Sequence, residues 1–267
     1  MTADPQPSTA RLDAELLAVY VTGRSRAHLY AFPETELSAR QQSSLDRLLQ
    51  RRCSGEPLAY IVGEREFWSL PLTLTPGALV PRADTELLVE QALRHHAALP
   101  AGSIIELGTG SGAIAVALAQ ELEDRLIIAV ELHTEALQVA RGNVRRFGRE
   151  RVQLLQGDWL ESIADTSAAM IIANPPYLAS NDPHLPALRH EPRSALVSGV
   201  SGLEDIERIV SSARRVGMPG CLLLLEHGCD QASSVRSILR HYNYQRIQTE
   251  PDLTGLERVS LGYLQHA

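Results

Sequence analysis

The stretch that decides the fold is "IIELGTGSGAIAVALA", residues 104–119. Apolar residues typical of a strand run into Gly108, Gly110 and Gly112, and an apolar stretch typical of a helix follows. Glycines in a strand-to-helix turn let the backbone approach a ligand, and the helix N-terminus offers free N–H groups and a positive dipole end. With Ala113 the loop also fits the looser dinucleotide fingerprint. The motif alone therefore favours a nucleotide-type cofactor without choosing among such cofactors.

Outward from this loop, short apolar stretches alternate with amphipathic ones. We predict strands at 103–107, 126–131, 152–155, 168–173 and 221–226, and helices near 112–121, 134–146, 203–216 and 230–241. Such alternation indicates an α/β fold with a parallel sheet covered on both faces. The loop between the last two predicted strands, 244–250 and 257–264, is too short for a helix. We therefore expect this final pair to be antiparallel.

The N-terminal part of the chain has a different pattern. Leu12, Leu16 and Val19 recur at helical spacing, which predicts a small helical domain over residues 1–64. Residues 65–82 read as a β-hairpin linker with its turn at Pro76-Gly77. The remainder, 83–267, forms the predicted catalytic domain, which opens with a helix that Asp84 or Thr85 could cap.

Composition excludes several classes of protein. The 267 residues carry a net charge of -7, which argues against a protein whose main partner is a nucleic-acid duplex bound through its phosphates. The chain contains no lysine, which excludes catalysis that depends on a lysine side chain. The N-terminus lacks the pattern of a signal peptide, and no apolar run reaches the length of a membrane span, so we expect a cytoplasmic protein. Cys221, His227 and Cys229 match no usual zinc spacing, and we expect no metal site.

Two further strand ends carry candidate cofactor contacts. Glu131 ends the second strand about 20 residues beyond the glycines, where a carboxylate can accept both hydroxyls of a ribose. "GDW", residues 157–159, ends the third strand. Asp158 could accept an adenine amino group, and Trp159 offers a ring to lie against the base.

The segment "NPPY", residues 174–177, points to a specific chemistry. The Asn174 side-chain oxygen and the Pro175 carbonyl are two acceptors that can fix the NH2 group of a planar, conjugated nitrogen for methylation. Pro175 and Pro176 restrict the backbone, and Tyr177 can stack on the flat face of the acceptor group. A long segment without periodicity, 178–202, follows this corner, and a loop of that length is usually functional.

The set of motifs resembles the HemK/PrmC family of protein-(glutamine-N5) methyltransferases, which modify the glutamine of the GGQ motif in peptide chain release factors. The resemblance covers most of the chain from about residue 50 and rests on the order and spacing of these segments: 56–93, "ELGTGSGAIAVALA", "GDW", "NPPY", "EPRSALVSGVSGLEDI", "LLLEHG" and "ERVSLG". It implies a class I, Rossmann-like fold with a seven-stranded sheet whose last strand is antiparallel. It also implies S-adenosyl-L-methionine as cofactor and a release factor as partner.

Carried onto this chain, the resemblance implies roles for individual residues. The glycine loop, with Gly108, Thr109, Gly110, Ser111 and Gly112, wraps the methionine part of the cofactor, which Asn174 also contacts. The NPPY residues grip the glutamine amide. Phe67 lines the substrate channel, and the helical domain docks the release factor. We expect a monomer that yields S-adenosyl-L-homocysteine.

The motifs leave alternatives open. An N6-adenine methyltransferase of DNA or RNA uses the same Asn-Pro-Pro-aromatic corner, and a glutamine methyltransferase of a large-subunit ribosomal protein is a closer alternative. A nicotinamide dehydrogenase fits the glycine loop and Glu131 but not NPPY. A non-catalytic adapter could bind a translation factor through the helical domain.

Overall fold

A computed structural model describes residues 7–265, which form two compact units. The first unit holds the chain up to Glu64 together with Pro183–His190. The second holds Arg65–Asp182 and the chain from Glu191 onward. Part of the long segment that follows NPPY is thus a component of the helical unit.

The helical unit has four helices, α1 to α4: Pro7–Thr22, Arg26–Ala31, Ala39–Cys53 and Leu58–Val62. A capping box starts α3, in which Ser38 accepts from the Gln41 backbone while the Gln41 side chain accepts from the Ser38 backbone. Leu17, Leu48 and Ile61 form the small core of this unit and are at most 7% exposed. The segment at 183–190 joins this unit at the end of α3, where the Arg189 guanidinium donates to the Ser54 carbonyl.

A two-stranded hairpin, β1 (Glu64–Phe67) and β2 (Leu70–Thr73), follows the helical unit. Its turn lies at Trp68 and Ser69. Pro76 and Gly77 do form a turn, but it follows β2 and does not join the two strands, so the predicted position of the hairpin turn is wrong. Trp68 and Ser69 both have a left-handed backbone, with φ of 52° and 58°. Two-residue hairpin turns of this kind usually carry asparagine or glycine, so their usual sequence signal is missing here.

Hydrogen bonds to residues far away in the sequence stabilise the hairpin, whose turn residues do not favour this turn by themselves. The Trp68 backbone N–H donates to Glu86 Oε1 and its indole N–H donates to Glu121 Oε1, both at 2.8 Å. The fully buried Asn143 bonds both backbone groups of Thr73, at 2.8 and 3.0 Å. These contacts offset the cost of two left-handed residues, which is about 1–2 kcal/mol each.

The central sheet has seven strands in the order β5-β4-β3-β6-β7-β9-β8. Their bounds, from β3 to β9, are Ser103–Leu107, Ile127–Glu131, Val152–Gln156, Ala168–Ala173, Gly217–Glu226, Tyr244–Pro251 and Glu257–Leu264. Strands β3 to β7 are parallel, and β9 runs antiparallel to both β7 and β8. The predicted α/β class and the antiparallel terminal pair are confirmed.

Five helices, α5 to α9, belong to this unit: Glu86–His95, Ala113–Glu121, Thr134–Phe147, Glu204–Val216 and Ala232–His241. Neighbouring residues of β3 belong to different cores, with Ile104 in one buried cluster and Ile105 in the other. Since side chains alternate along a strand, the sheet is covered on both faces, as predicted. The predicted capping role of Thr85 is wrong, because its side chain makes no capping bond to α5 and instead accepts a hydrogen bond from Asn174.

The segment after NPPY is ordered by backbone pairing. Leu178 forms a parallel bridge with Val197, its N–H donates to Leu196 O, and its carbonyl accepts from Ser198 N, both at 2.9 Å. Glu191, which is 8% exposed, accepts from the backbone of Val80. Long-range hydrogen bonds, rather than periodic structure, thus fix this part of the chain.

Candidate active site

A cleft of about 390 Å³ opens at the carboxyl ends of the parallel strands. Its volume lies within the range of roughly 300–1,000 Å³ that is usual for small-molecule sites, and its location is the one expected for an open α/β sheet. Seven of the residues predicted from the sequence line it: Gly108, Gly110, Glu131, Asp158, Trp159, Asn174 and Pro176. The cleft therefore brings the glycine loop, the strand-end acids and the NPPY corner together.

The glycine loop presents bare backbone to this cleft. Gly108 and Gly110 have φ of 65° and 56°, which favours glycine. A Cβ atom on Gly108 would lie 3.3 Å from the Trp159 ring, tighter than ordinary contact. The positive φ thus favours glycine at this position, and the close approach of the indole adds a smaller steric reason.

Polar residues within the loop hold it from behind. Thr109 is 5% exposed, and its hydroxyl donates to Glu106 Oε2 at 2.6 Å. Burial raises the pKa of Glu106 to about 8. The Ser111 carbonyl accepts from the buried Asn143 amide at 2.9 Å, and Gly112 is the N-cap residue of α6, with φ of 82°. Thr109, Ser111 and Gly112 do not line the cleft, and their predicted cofactor contacts stay predictions.

Glu131 is held with both carboxylate oxygens in fixed positions. Oε2 accepts from the Gly110 backbone and Oε1 from the His133 backbone, each at 2.9 Å. The residue is 6% exposed and lies on the cleft wall. Because each carboxylate oxygen can accept more than one hydrogen bond, both can still receive a hydroxyl. This geometry fits the two adjacent hydroxyls of a ribose.

The GDW segment is tied to the start of α8. Arg208 donates to both oxygens of Asp158, at 2.9 and 2.8 Å, and the Trp159 indole N–H donates to Asp205 Oδ1 at 3.2 Å. The Asp158 carboxylate on the cleft wall is therefore already paired with the Arg208 guanidinium. Asp205 and Arg208 also line the cleft, and neither is predicted from the sequence.

The NPPY corner continues β6 directly. Asn174 lies on the cleft wall and Pro175 is buried. The Tyr177 carbonyl accepts from Gln231 Nε2 at 2.9 Å, and the same amide group lies 3.2 Å from the Gly202 carbonyl. Burial raises the pKa of the Tyr177 hydroxyl, so this side chain is neutral at physiological pH. The corner is thus held by a hydrogen bond from Gln231, which precedes α9 and also bonds the Gly202 carbonyl, in addition to the stiffness of its prolines.

Two buried polar residues that were not predicted as site residues lie next to this corner. Thr85 is 4% exposed, and its Oγ1 accepts from Asn174 Nδ2 at 3.1 Å. Glu226 ends β7 and is 1% exposed. Burial raises the pKa of Glu226 to about 7. Hydrogen bonds from Thr85 and Asn174 act in the opposite direction and lower this pKa, but their effect is smaller. The available signal was an acidic residue at the end of a long apolar strand, in "LLLLEHG".

Phe67 is not brought to the cleft. Its side chain is 1% exposed and belongs to the apolar cluster that includes Leu72 and Leu88. Phe67 is absent from the cleft wall in this structure, and its burial is explained by packing beneath the hairpin. Its predicted role in a substrate channel stays a prediction.

Within the described residues, no cluster of three or more His, Cys, Asp or Glu side chains could hold a metal ion. Cys221 is buried and burial raises the pKa of its thiol to about 12, whereas Cys53 and Cys229 are exposed. In the same part of the chain, none of the helices is both long and apolar enough to cross a bilayer.

Comparison with known proteins relates both units to one family. A family model described as the PrmC N-terminal domain matches residues 5–63, and one described as the methyltransferase small domain matches residues 82–191. A release factor glutamine methyltransferase of Vibrio cholerae serotype O1 is 48% identical over 254 residues, covering 94% of this chain and 88% of that protein. One of Escherichia coli strain K12 is 46% identical over 254 residues, covering 94% and 91%.

Solved structures share the fold at much lower identity. The hMettl16 catalytic domain in complex with the MAT2A 3′UTR hairpin 6 aligns with a TM-score of 0.57 and 16% identity. The alignment covers 75% of this chain and 77% of that one. This likeness shows that the fold is shared with a protein of much lower sequence identity than the relatives named above.

Proposed function

We propose, since this chain belongs to the family of release factor glutamine methyltransferases, that it methylates the side-chain amide nitrogen (N5) of the glutamine in the GGQ motif of a peptide chain release factor. The methyl donor is S-adenosyl-L-methionine and the product is S-adenosyl-L-homocysteine. The reaction takes place in the cytoplasm. The observation that carries this proposal is an amide, Asn174, on the wall of a nucleoside-sized cleft that also contains Glu131 and the glycine loop.

The residues of the cleft fit the parts of the proposed cofactor. Glu131 accepts from the two ribose hydroxyls, because its oxygens are already oriented by backbone N–H groups. Trp159 and the paired Asp158 border the adenine, and the loop at Gly108 and Gly110 accommodates the methionine part. When bound, adenosylmethionine supplies an electrophilic methyl group on a sulfonium sulfur.

The NPPY corner orients the amide that is methylated. The Asn174 side-chain oxygen and the Pro175 carbonyl each accept one N–H of the glutamine NH2 group, which directs its remaining face toward the methyl donor. Tyr177 packs against the flat amide. The methylated nitrogen is strongly acidic and loses its proton to water, so the site requires no dedicated base. The corner therefore contributes mainly by positioning.

The helical unit provides the docking surface for the release factor in this proposal. Three aromatic side chains of that unit, Tyr20, Tyr30 and Phe32, are 54%, 55% and 51% exposed. Exposed aromatic residues are enriched where proteins bind one another, which supports this role. The same unit matches the family model described as the PrmC N-terminal domain, over residues 5–63.

A labelling experiment tests the function. The protein is incubated with adenosylmethionine that carries a tritiated methyl group and with release factor, and a release factor whose GGQ glutamine is changed to alanine is the control. We expect label in the first and background in the second. Equal labelling of both would exclude glutamine as the acceptor, and label in added DNA or RNA instead would favour an adenine methyltransferase.

A further inference from the structure

A buried polar cluster lies behind the methyl acceptor site and is built from three separate elements. Asn174 follows the last residue of β6, and Glu226 is the last residue of β7. These strands are paired through Ala173 and Leu225, the residues directly before them. Thr85 approaches from the turn that precedes α5 and accepts from Asn174 Nδ2 at 3.1 Å. The cluster is thus set by sheet register and by one long-range hydrogen bond.

The chemistry of the cluster selects one orientation of the Asn174 amide. A carboxylate only accepts hydrogen bonds, so the NH2 end of the amide must be the end that faces Glu226. Thr85 accepts from that NH2 group, which leaves its own hydroxyl hydrogen free to donate to Glu226. The Asn174 oxygen is consequently turned away from the cluster. An amide without such partners has two orientations of nearly equal shape, and only one offers an acceptor to the cleft.

Glu226 carries a cost that packing alone does not explain. It is 1% exposed, and within the described part of the chain its Oε2 atom has no hydrogen-bond partner. Buried polar atoms without partners are rare in proteins, and a specific one calls for a reason. An apolar residue here would fill the same space at the end of β7 without an unpaired oxygen.

We propose that Thr85 and Glu226 are positioning residues, which hold the Asn174 amide with its oxygen toward the cleft and so determine that the site receives an N–H group. This inference rests on the proposed function, because it concerns the acceptor for the glutamine amide. Neither residue lines the cleft, so both act through Asn174. Thr85 and Glu226 therefore fix the orientation of the side-chain acceptor that Asn174 offers to the glutamine amide.

The protonation state of Glu226 should then affect the turnover rate. Asp84 and Arg258 act electrostatically on Glu226, and the neutral Tyr177 hydroxyl lies within the influence of Glu226, Asp84, Arg258 and Arg82. Burial is the main reason that the pKa of Glu226 is raised to about 7, Asp84 raises it further, and Arg258 lowers it. When protonated, Glu226 becomes a donor, and Thr85 can turn its hydroxyl toward Asn174. Turnover should therefore increase as Glu226 ionises, in the range around pH 7.

Paired variants of the threonine provide the test. Thr85→Val keeps the shape and removes the hydroxyl, whereas Thr85→Ser keeps the hydroxyl. We expect Thr85→Val to lower kcat on release factor by roughly 10- to 100-fold, as misplacement of a positioned group by about an ångström does. Thr85→Ser should recover most of this loss. The Kd for S-adenosyl-L-homocysteine should be unchanged in both, which reports that the cleft is intact.

Glu226→Gln is the second test and uses the pH profile. We expect lower kcat and loss of the rise in kcat around pH 7, with the KM for adenosylmethionine unchanged. Equal activity of Thr85→Val and Thr85→Ser, or a Glu226→Gln profile that matches the unsubstituted protein, would overturn the inference. Failure of the proposed function is distinguishable, since the unsubstituted protein would then not label the GGQ glutamine at all.

Discussion

Replacement of Glu131 by glutamine is the sharpest test of the cofactor side of the cleft. Both carboxylate oxygens of Glu131 accept a backbone N–H at 2.9 Å, from Gly110 and from His133. Glutamine has one oxygen and one NH2 group, so one of these two backbone donors must face another donor. The substitution therefore removes one internal hydrogen bond and one acceptor for a ribose hydroxyl.

The expected effect follows from these two losses. A hydrogen bond to a charged group contributes about 1.5–3 kcal/mol, and 1.4 kcal/mol corresponds to tenfold in affinity. We expect Glu131→Gln to weaken binding of S-adenosyl-L-homocysteine by about 10- to 150-fold. The unpaired backbone N–H should also destabilise the folded protein by roughly 1–3 kcal/mol. Titration calorimetry measures the first effect and urea unfolding the second.

Glu135→Gln is the matched control, since it makes the same chemical change on the exposed surface nearby. It should leave both affinity and stability close to those of the unsubstituted protein. The role assigned to Glu131 is excluded if Glu131→Gln folds normally and binds S-adenosyl-L-homocysteine within about twofold of the unsubstituted protein, because that difference is far below the loss of one charged hydrogen bond.

Other predictions concern the corner, its support and the buried acids. Asn174→Ala should lower kcat about 100-fold or more while the Kd for S-adenosyl-L-homocysteine changes only severalfold, and near-normal turnover would contradict its role. Gly202→Ala should lower the melting temperature more than Gly255→Ala. Both glycines have positive φ, but only at Gly202 would a Cβ meet the Tyr177 carbonyl, at 2.4 Å, so equal shifts would exclude that contact. The free energy of unfolding should fall as pH rises from about 4.5 to about 8, because the folded protein raises the pKa of Glu106 to about 8 and so binds more protons than the unfolded chain. Glu106→Gln should reduce that fall in urea unfolding at several pH values, and an unchanged slope would contradict it.

The sequence predicted the sheet because its strands are short apolar runs bounded by glycines and acids. Gly108, Glu131 and Asn174 each follow or end such a run, and carboxyl ends of parallel strands meet at one edge. Their convergence on one cleft is therefore predictable from pattern and topology. The terminal antiparallel pair was predictable for a similar reason, since its loop cannot hold a crossover helix.

Other features depend on contacts between residues far apart in the chain. The hairpin turn at Trp68 lacks the usual turn residues and is held by Glu86 and Glu121, which no local pattern connects to it. Thr85 resembles a helix cap in sequence, yet its hydroxyl is used by Asn174, 89 residues away. Local signals cannot distinguish a cap from a tertiary partner, because both use the same side-chain chemistry.

The two halves of the site share one construction principle. A buried carboxyl, Glu106 or Glu226, lies behind each half, and each is hydrogen-bonded to a threonine hydroxyl, Thr109 or Thr85. Thr109 belongs to the glycine loop itself, while Thr85 holds the amide of Asn174. Burial raises the pKa of both acids, which means that each ionised carboxylate costs folding free energy where it lies. This unfavourable free energy arises beneath the glycine loop and the NPPY corner, the two segments that must keep a fixed geometry. Burial of the apolar strands around them supplies the folding free energy that offsets it.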